Sequence, residues 1–455
     1  MLLVILSCVL VAAGYAGMRG ARQYLANRDF HPVRVPAATQ PASDARAGLR
    51  TGPPQPIPTQ ADAPEPTPTG VAAALAGKLT APQLGPSLSA QVLDATTGDS
   101  LFARRPDALV APASTSKLVT AAAVLAAHRS TDRIRTTVVA GAEPGTVVLV
   151  GAGDPTLSAA PAGQPTPYPE AARVTDLAAQ VRRALGATPV TRVLVDGSLF
   201  SGPAVAQGWA PEDSPSSYGC PITAAMVDGG RDTPQSAIRS ANPDLAAGSA
   251  LARALGGAQV SRGRAPAGAR TLGAVQSAPI GVLVEQMLRD SDNVIAEMLG
   301  RQVALAGQQP ASFAGAVVAI RTGAAPLGIA AGTGMHDASG LSVLDRLPAS
   351  ALTQALTATR ARPELRSILS GLSVAGWDGS LVEQGRFTGP SAGGDGAVRA
   401  KTGSLTGVSS MAGVLTDADG RQLIFAFVAD RAPSEGPTRE AIDALAAALV
   451  HCGCR

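Results

Sequence analysis

Pro112-Ala113-Ser114-Thr115-Ser116-Lys117 runs directly into the apolar stretch Leu118 to Ala127. Residues three apart on a helix share a face, so Ser114 and Lys117 can meet at the mouth of a helix whose other faces are buried. A helix buried on most sides has few reasons to carry a lysine. Of the 37 basic residues, only Lys78, Lys117 and Lys401 are lysines. Arginine serves nearly everywhere a fixed cation suffices, whereas an ammonium can lose its proton at accessible pH when desolvated and a guanidinium cannot. Lys117 therefore reads as a position where arginine would fail.

At 455 residues the chain exceeds what one hydrophobic core usually supports. Met1 to Ala16 is apolar, has the length of a signal-peptide core and ends in small residues, so 1–17 reads as a signal peptide or membrane anchor. The basic residues expected before it are missing, and Arg19, Arg22 and Arg28 follow it instead. Residues 18–70 form a linker rich in Pro, Thr and Ala with too little apolar surface to fold. Both features place the chain outside the cytoplasm, secreted or held at the outer face of the membrane. Cys8, Cys220, Cys452 and Cys454 leave open which pair bridges there.

Folded sequence begins near Val71. A hairpin over Ser87–Leu93 and Ser100–Arg104 feeds the Ser114 helix. Residues 134–272 change texture to β-branched runs and amphipathic helices, an inserted α/β domain within a catalytic domain of 71–133 and 273–455. Helices resume after Pro279. Three strand signals, from Gly396, Gly407 and Gln422, precede a last helix, so one antiparallel sheet draws strands from both ends of the chain. The fold class is α/β (α+β), a sheet with a helical lobe plus the insertion.

Two short motifs follow Ser114 and Lys117. Ser291-Asp292-Asn293 falls between two helices, and Lys401-Thr402-Gly403-Ser404 sits on a strand, where Gly403 lets another chain approach closely. The order Ser-x-x-Lys, Ser-x-Asn, Lys-Thr-Gly is the signature of the penicillin-recognising serine acyltransferases. The chain resembles their class C low-molecular-mass branch, the D-alanyl-D-alanine carboxypeptidases and endopeptidases of peptidase family S13, actinobacterial type. Gly151 to Leu157, Val195 to Phe200, Ala296-Glu297-Met298, Asp337 to Ser342 and Asp378 to Leu381 extend the likeness over roughly Val71 to Val450.

That resemblance implies a penicillin-recognising transpeptidase-like fold with peptidoglycan stem peptides and β-lactam antibiotics as partners; no cofactor is expected, and His31, His128, His336 and His451, scattered without ligand spacing, together with the lack of a paired Cys-x-x-Cys, speak against a zinc site. Cleaving an amide through a serine needs a base, oxyanion donors and an acid for the leaving amine. Lys117, buried and repelled by Lys401, suits the base for Ser114. Ser291 can relay a proton to the departing nitrogen. Asn293 can hold the substrate backbone or Lys117 itself. Lys401 and Thr402 can bind a terminal carboxylate, and the N–H groups of Ser114 and Ser404 face the oxyanion. Glu297 and Asp378 read as structural, a His336–Asp337 dyad is disfavoured, and Trp209 and Trp377 read as packing residues.

Two other readings remain. A serine β-lactamase or esterase of this fold would need a deacylating base, a Glu on a loop after the second motif or a Tyr in place of its serine, and the chain has neither a matching Glu-x-x-x-Asn nor a Tyr-x-Asn. A catalytically silent envelope-binding module would not need all five of Ser114, Lys117, Ser291, Asn293 and Lys401. Nucleic-acid binding has little support from a net charge of +3 and no basic run.

Overall fold

The computed structural model describes residues 63–332 and 334–455; the expected signal peptide or anchor and most of the expected linker lie outside them. Helical structure already covers residues before Val71, where the composition places the start of folded sequence. Helix α1 covers Pro68–Ala76, with Thr67 as N-cap accepting from Gly70 N at 3.0 Å and proline at its first position. A Thr-Pro pair is a helix start signal as well as a linker signal. Thr67 N also donates to Cys454 O at 2.6 Å, tying this start to the far end of the chain.

Strands β1 (Ser87–Asp94) and β2 (Ser100–Arg104) form the hairpin before helix α2 (Lys117–Ala127). Then come β3 (Arg133–Ala140), β4 (Thr146–Val150), α3 (Val174–Leu185), β5 (Arg192–Asp196), α4 (Pro243–Ala254), β6 (Gln259–Arg262) and β7 (Thr271–Pro279). Helices α5 (Ile280–Arg289), α6 (Asn293–Ala306), α7 (Phe313–Ala324), α8 (Ala349–Ala361) and α9 (Arg366–Ser370) follow. The chain closes with β8 (Ser373–Val374), α10 (Gly379–Glu383), β9 (Val398–Leu405), β10 (Val408–Thr416), β11 (Gln422–Asp430) and α11 (Glu435–Val450).

The first sheet runs β2-β1-β11-β10-β9-β8 and every pairing in it is antiparallel. Its central strands are buried on both faces, as a sheet sandwiched between helices requires. One face carries Ala412, Val414, Ile424, Ala426 and Val428 into a core with Leu118, Val124, Ile295 and Leu299 of the helical lobe. The other carries Met411, Phe425 and Phe427 onto Val71 of α1 and Leu445 and Leu449 of α11.

Residues 133–279 build a second sheet, β6-β5-β4-β3-β7, with β4, β5 and β6 parallel and the rest antiparallel. Helices α3 and α4 pack their apolar stripes on it. Arg133 pairs with Pro279, so this segment leaves and re-enters the helical lobe at one place. A further cluster of Trp209, Cys220, Ile222 and Met226 packs on Val294, Met298, Phe313 and Leu341, seating the segment's long loops against α6 and α7.

Candidate active site

Ser114 lies in a single 3-10 turn, Ala113–Ser116, and the α-helix proper starts at Lys117. In a 3-10 turn side chains at i and i+3 eclipse, which brings Ser114 and Lys117 closer than an α-turn does. Ala113 has φ +47°, a left-handed conformation that costs a non-glycine residue about 1 kcal/mol or more. Its surroundings hold it there. Pro112 O accepts from Thr115 Oγ1 at 2.6 Å and from Ser410 Oγ at 2.7 Å. A Cβ on Gly403 would stand 2.9 Å from Ser114 N, and one on Gly340 would overlap Ala113 O. Two glycines thus let a strand and a loop press directly on the turn that presents Ser114.

Lys117 is fully buried and its Nζ lies 2.9 Å from Ser114 Oγ, 2.6 Å from Asn293 Oδ1 and 2.7 Å from Ser339 O. An ammonium would donate to all three. A neutral amine donates twice and keeps one lone pair. Asn293 Oδ1 and Ser339 O can only accept, so the lone pair is left for the Ser114 hydroxyl proton. Burial pushes the Lys117 ammonium down to about 8, against the opposing attraction of Asp337, Glu297, Asp292 and Asp345.

The carbonyl of Ser339 is positioned by its loop. Asp337 Oδ1 accepts from Ser339 N (3.0 Å) and Gly340 N (2.6 Å), while Oδ2 accepts from Ser342 N and Trp209 Nε1, both at 2.7 Å. Glu297 Oε1 accepts from Ala338 N at 3.0 Å, and its other oxygen faces Arg301 at 3.5 Å. These carboxylates shape the loop and do not face Ser114.

Ser291-Asp292-Asn293 joins α5 to α6. Ser291 is half-buried with φ +57°, and its hydroxyl bonds to none of the described residues. Asp292 caps α6 by accepting from Val294 N and Ile295 N at 2.9 and 3.1 Å. Asn293 Nδ2 donates to Tyr218 O at 3.1 Å, which turns its Oδ1 toward Lys117.

On β9, Lys401 is fully buried and donates to Thr402 O at 2.7 Å. Burial and then the Lys117 charge hold it well below the ordinary lysine range, although Asp290 and Glu383 oppose this. The expected repulsion therefore bears on Lys401, while the charges around Lys117 are mainly acidic. Thr402 Oγ1 lies 2.8 Å from Ser380 Oγ, and Ser404 Oγ accepts from Arg439 Nη2 at 3.1 Å.

The structure thus gathers Ser114, Lys117, Asn293 and the Gly403 backbone, with Lys401, Thr402 and Ser404 along the same strand edge. Asp378 accepts from Val374 N and pairs with Arg289 at 3.4 Å, a turn role. His336 and Asp337 do not form a dyad, since both oxygens of Asp337 are taken by Ser339 N, Gly340 N, Ser342 N and Trp209 Nε1. Trp209 is buried, but Trp377 is 55% exposed, contrary to its expected packing role, because it lies in the tight Val374–Asp378 turn before α10. Sequence reading missed the Ser339 and Tyr218 carbonyls, since backbone acceptors carry no residue signature. Cys452 and Cys454 are bonded, and Cys220 is buried with no disulfide partner among the described residues.

A family model described as "D-Ala-D-Ala carboxypeptidase 3 (S13) family" matches residues 71–237 and 231–449. A carboxypeptidase of Mycobacterium tuberculosis is 46% identical over 93% of this chain and 91% of its own length. The carboxypeptidase DacB of Mycolicibacterium smegmatis is 44% identical over 92% and 90%. Penicillin binding protein 4 of Haemophilus influenzae shares the fold with a TM-score of 0.67 at 20% identity, over 83% of this chain and 97% of that one.

Proposed function

The chain belongs to the D-Ala-D-Ala carboxypeptidase 3 (S13) family, and from that premise we propose that it releases terminal D-alanine from peptidoglycan stem peptides through an acyl-enzyme on Ser114. It is a serine peptidase of D-Ala-D-Ala bonds, and the complex of the Haemophilus influenzae penicillin binding protein 4 with a β-lactam supports β-lactams as further ligands. The observation carrying the assignment of roles is the Lys117 Nζ to Ser114 Oγ contact at 2.9 Å, with acceptors occupying the other two directions.

In this reading neutral Lys117 takes the Ser114 proton as Oγ attacks the carbonyl carbon of the penultimate D-Ala. The N–H groups of Ser114 and Ser404 hold the oxyanion. As the C–N bond breaks, Ser291 passes the proton from Lys117 to the leaving amine. Water then cleaves the ester and restores the hydroxyl. Thr402 and Lys401 meet the substrate carboxylate, whose charge favours the protonated form of Lys401.

Intact-mass analysis after incubation with benzylpenicillin tests this. The expected result is one adduct on Ser114, absent in Ser114→Ala, together with release of one D-Ala from a stem pentapeptide. No adduct would overturn the reading, and rapid penicillin turnover would favour a β-lactamase. Splitting of cross-linked dimers in the same assay would add endopeptidase activity.

The same substrate supports a location outside the cytoplasm, with the protein secreted or membrane-anchored through its N-terminus. No helix among the described residues is long and apolar enough to cross a membrane. Protease treatment of intact, wall-stripped cells should degrade the protein; full protection would oppose this location.

A further inference from the structure

Asp292 lies between the two residues of its motif that are assigned chemistry, and its own carboxylate is buried and saturated. While Oδ1 caps α6, Oδ2 accepts from Tyr168 Oη at 2.8 Å and from Arg239 Nη2 at 3.0 Å, with Arg231 at 3.9 Å. Tyr168, Arg231 and Arg239 all come from the segment between β3 and β7.

The cluster is closely built. Arg231 and Arg239 face each other across an isolated antiparallel bridge, an arrangement that like charges disfavour unless an anion sits between them. Arg231 also donates to the Tyr168 hydroxyl and stacks 5.1 Å over its ring. Gly229, with φ +66°, forms the floor, since a Cβ there would overlap the Tyr168 hydroxyl and crowd both guanidiniums. Arg239 donates to Gly229 O as well. A buried pair of this kind adds little net stability over apolar residues of similar volume, but it fixes geometry.

That geometry reaches the reacting groups. Ser291 is held with φ +57° on one side of Asp292, and Asn293 bonds Lys117 on the other. The segment grips Asn293 a second time through Tyr218 O.

We propose that Arg239 and Tyr168, seated over Gly229, are positioning residues of the acyl transfer. They clamp Asp292 so that Ser291 and Asn293 hold their orientation toward Lys117 and the substrate. The inserted segment is then part of the catalytic apparatus. The proposal rests on the acyl-enzyme reading above.

Full-length Tyr168→Phe, Arg239→Lys and Arg239→Met are compared with wild type in kcat and KM on a D-Ala-D-Ala peptide, acylation rate by benzylpenicillin, and melting temperature. Losing one hydrogen bond to a buried carboxylate should lower kcat and acylation roughly tenfold in Tyr168→Phe, with KM within about twofold and melting lowered by about a few degrees at most. Arg239→Met should lose about a hundredfold, with partial rescue in Arg239→Lys. If Arg239→Met fails to fold, Tyr168→Phe and Arg239→Lys decide. Wild-type rates in folded variants, or losses that follow melting temperature alone, overturn the clamp. A wild-type chain that benzylpenicillin never acylates overturns the acyl-enzyme reading and the clamp together.

Discussion

At Lys117, desolvation and charge pull in opposite directions, and the balance sets a working pH. Burial brings the ammonium down from 10.5 to about 8 even though four carboxylates favour the charged form. Only the neutral amine can take the Ser114 proton, so acylation by a β-lactam should rise about tenfold per pH unit below 8 and level off above it. A stopped-flow pH profile flat from 6 to 9 would remove Lys117 from the role of base. Lys117→Arg keeps a charge but cannot deprotonate, and should show no adduct in intact-mass analysis. Asp154 gives a stability prediction with the sign set by burial. Its carboxyl is pushed up to about 6 by burial, against hydrogen bonds from Thr156 N and Oγ1, and Oδ2 has no partner among the described residues. The unfolded group ionises near 3.8, so its contribution to stability is fully present below that pH and is lost as pH rises through 6. Asp154→Asn should therefore gain on the order of 1–3 kcal/mol at pH 7.5 and nothing at pH 3.5, measured by urea denaturation.

At the scale of elements, the site is an arrangement in which β9 and the 337–342 loop press on the turn before α2. Gly403 is where β9 comes closest to the backbone N–H of Ser114. Because an added Cβ would stand 2.9 Å from both Ser114 N and Pro112 O, Gly403→Ala should displace the oxyanion donors. Loss of one such donor costs about 10²–10³ in rate, and acylation should fall by that order with melting little changed. Penicillin labelling at the wild-type rate would show that the approach is not needed. The sequence conveyed these elements unevenly. Period and turn chemistry carried the hairpin before Ser114, the helices that resume after Pro279 and the closing strands from Gly396, Gly407 and Gln422, because each depends on neighbours along the chain. The 3-10 turn at Ser114 was not legible, since it is held by Ser410 and Gly340, far away in sequence. Nor was the pull of Arg239 on Asp292, because an arginine in a loop reads as solvated until the fold supplies its anion.

For the whole molecule, loops of the segment between β3 and β7 bear directly on the loop that carries Ser291 and Asn293, so that segment cannot be a neutral passenger. Its removal looks simple in topology, since Arg133 and Pro279 are paired and a short turn could join them. The energetics oppose it. Deleting 134–272 strips Tyr168 and Arg239 from Asp292, so the hydrogen bonds that fix its Oδ2 are lost. The deletion also uncovers Val294, Met298, Phe313 and Leu341, which Trp209, Ile222 and Met226 cover in the intact chain. Burial of such side chains is worth about 1.5–3 kcal/mol each, so the combined loss is comparable to the whole stability of an ordinary domain. A chain lacking 134–272 should therefore be poorly soluble and take up no fluorescent penicillin, although Ser114, Lys117, Ser291, Asn293 and Lys401 all remain. Circular dichroism and gel labelling would read both effects. Wild-type labelling of a folded deletion would mean that the first sheet and its helices suffice for acyl transfer.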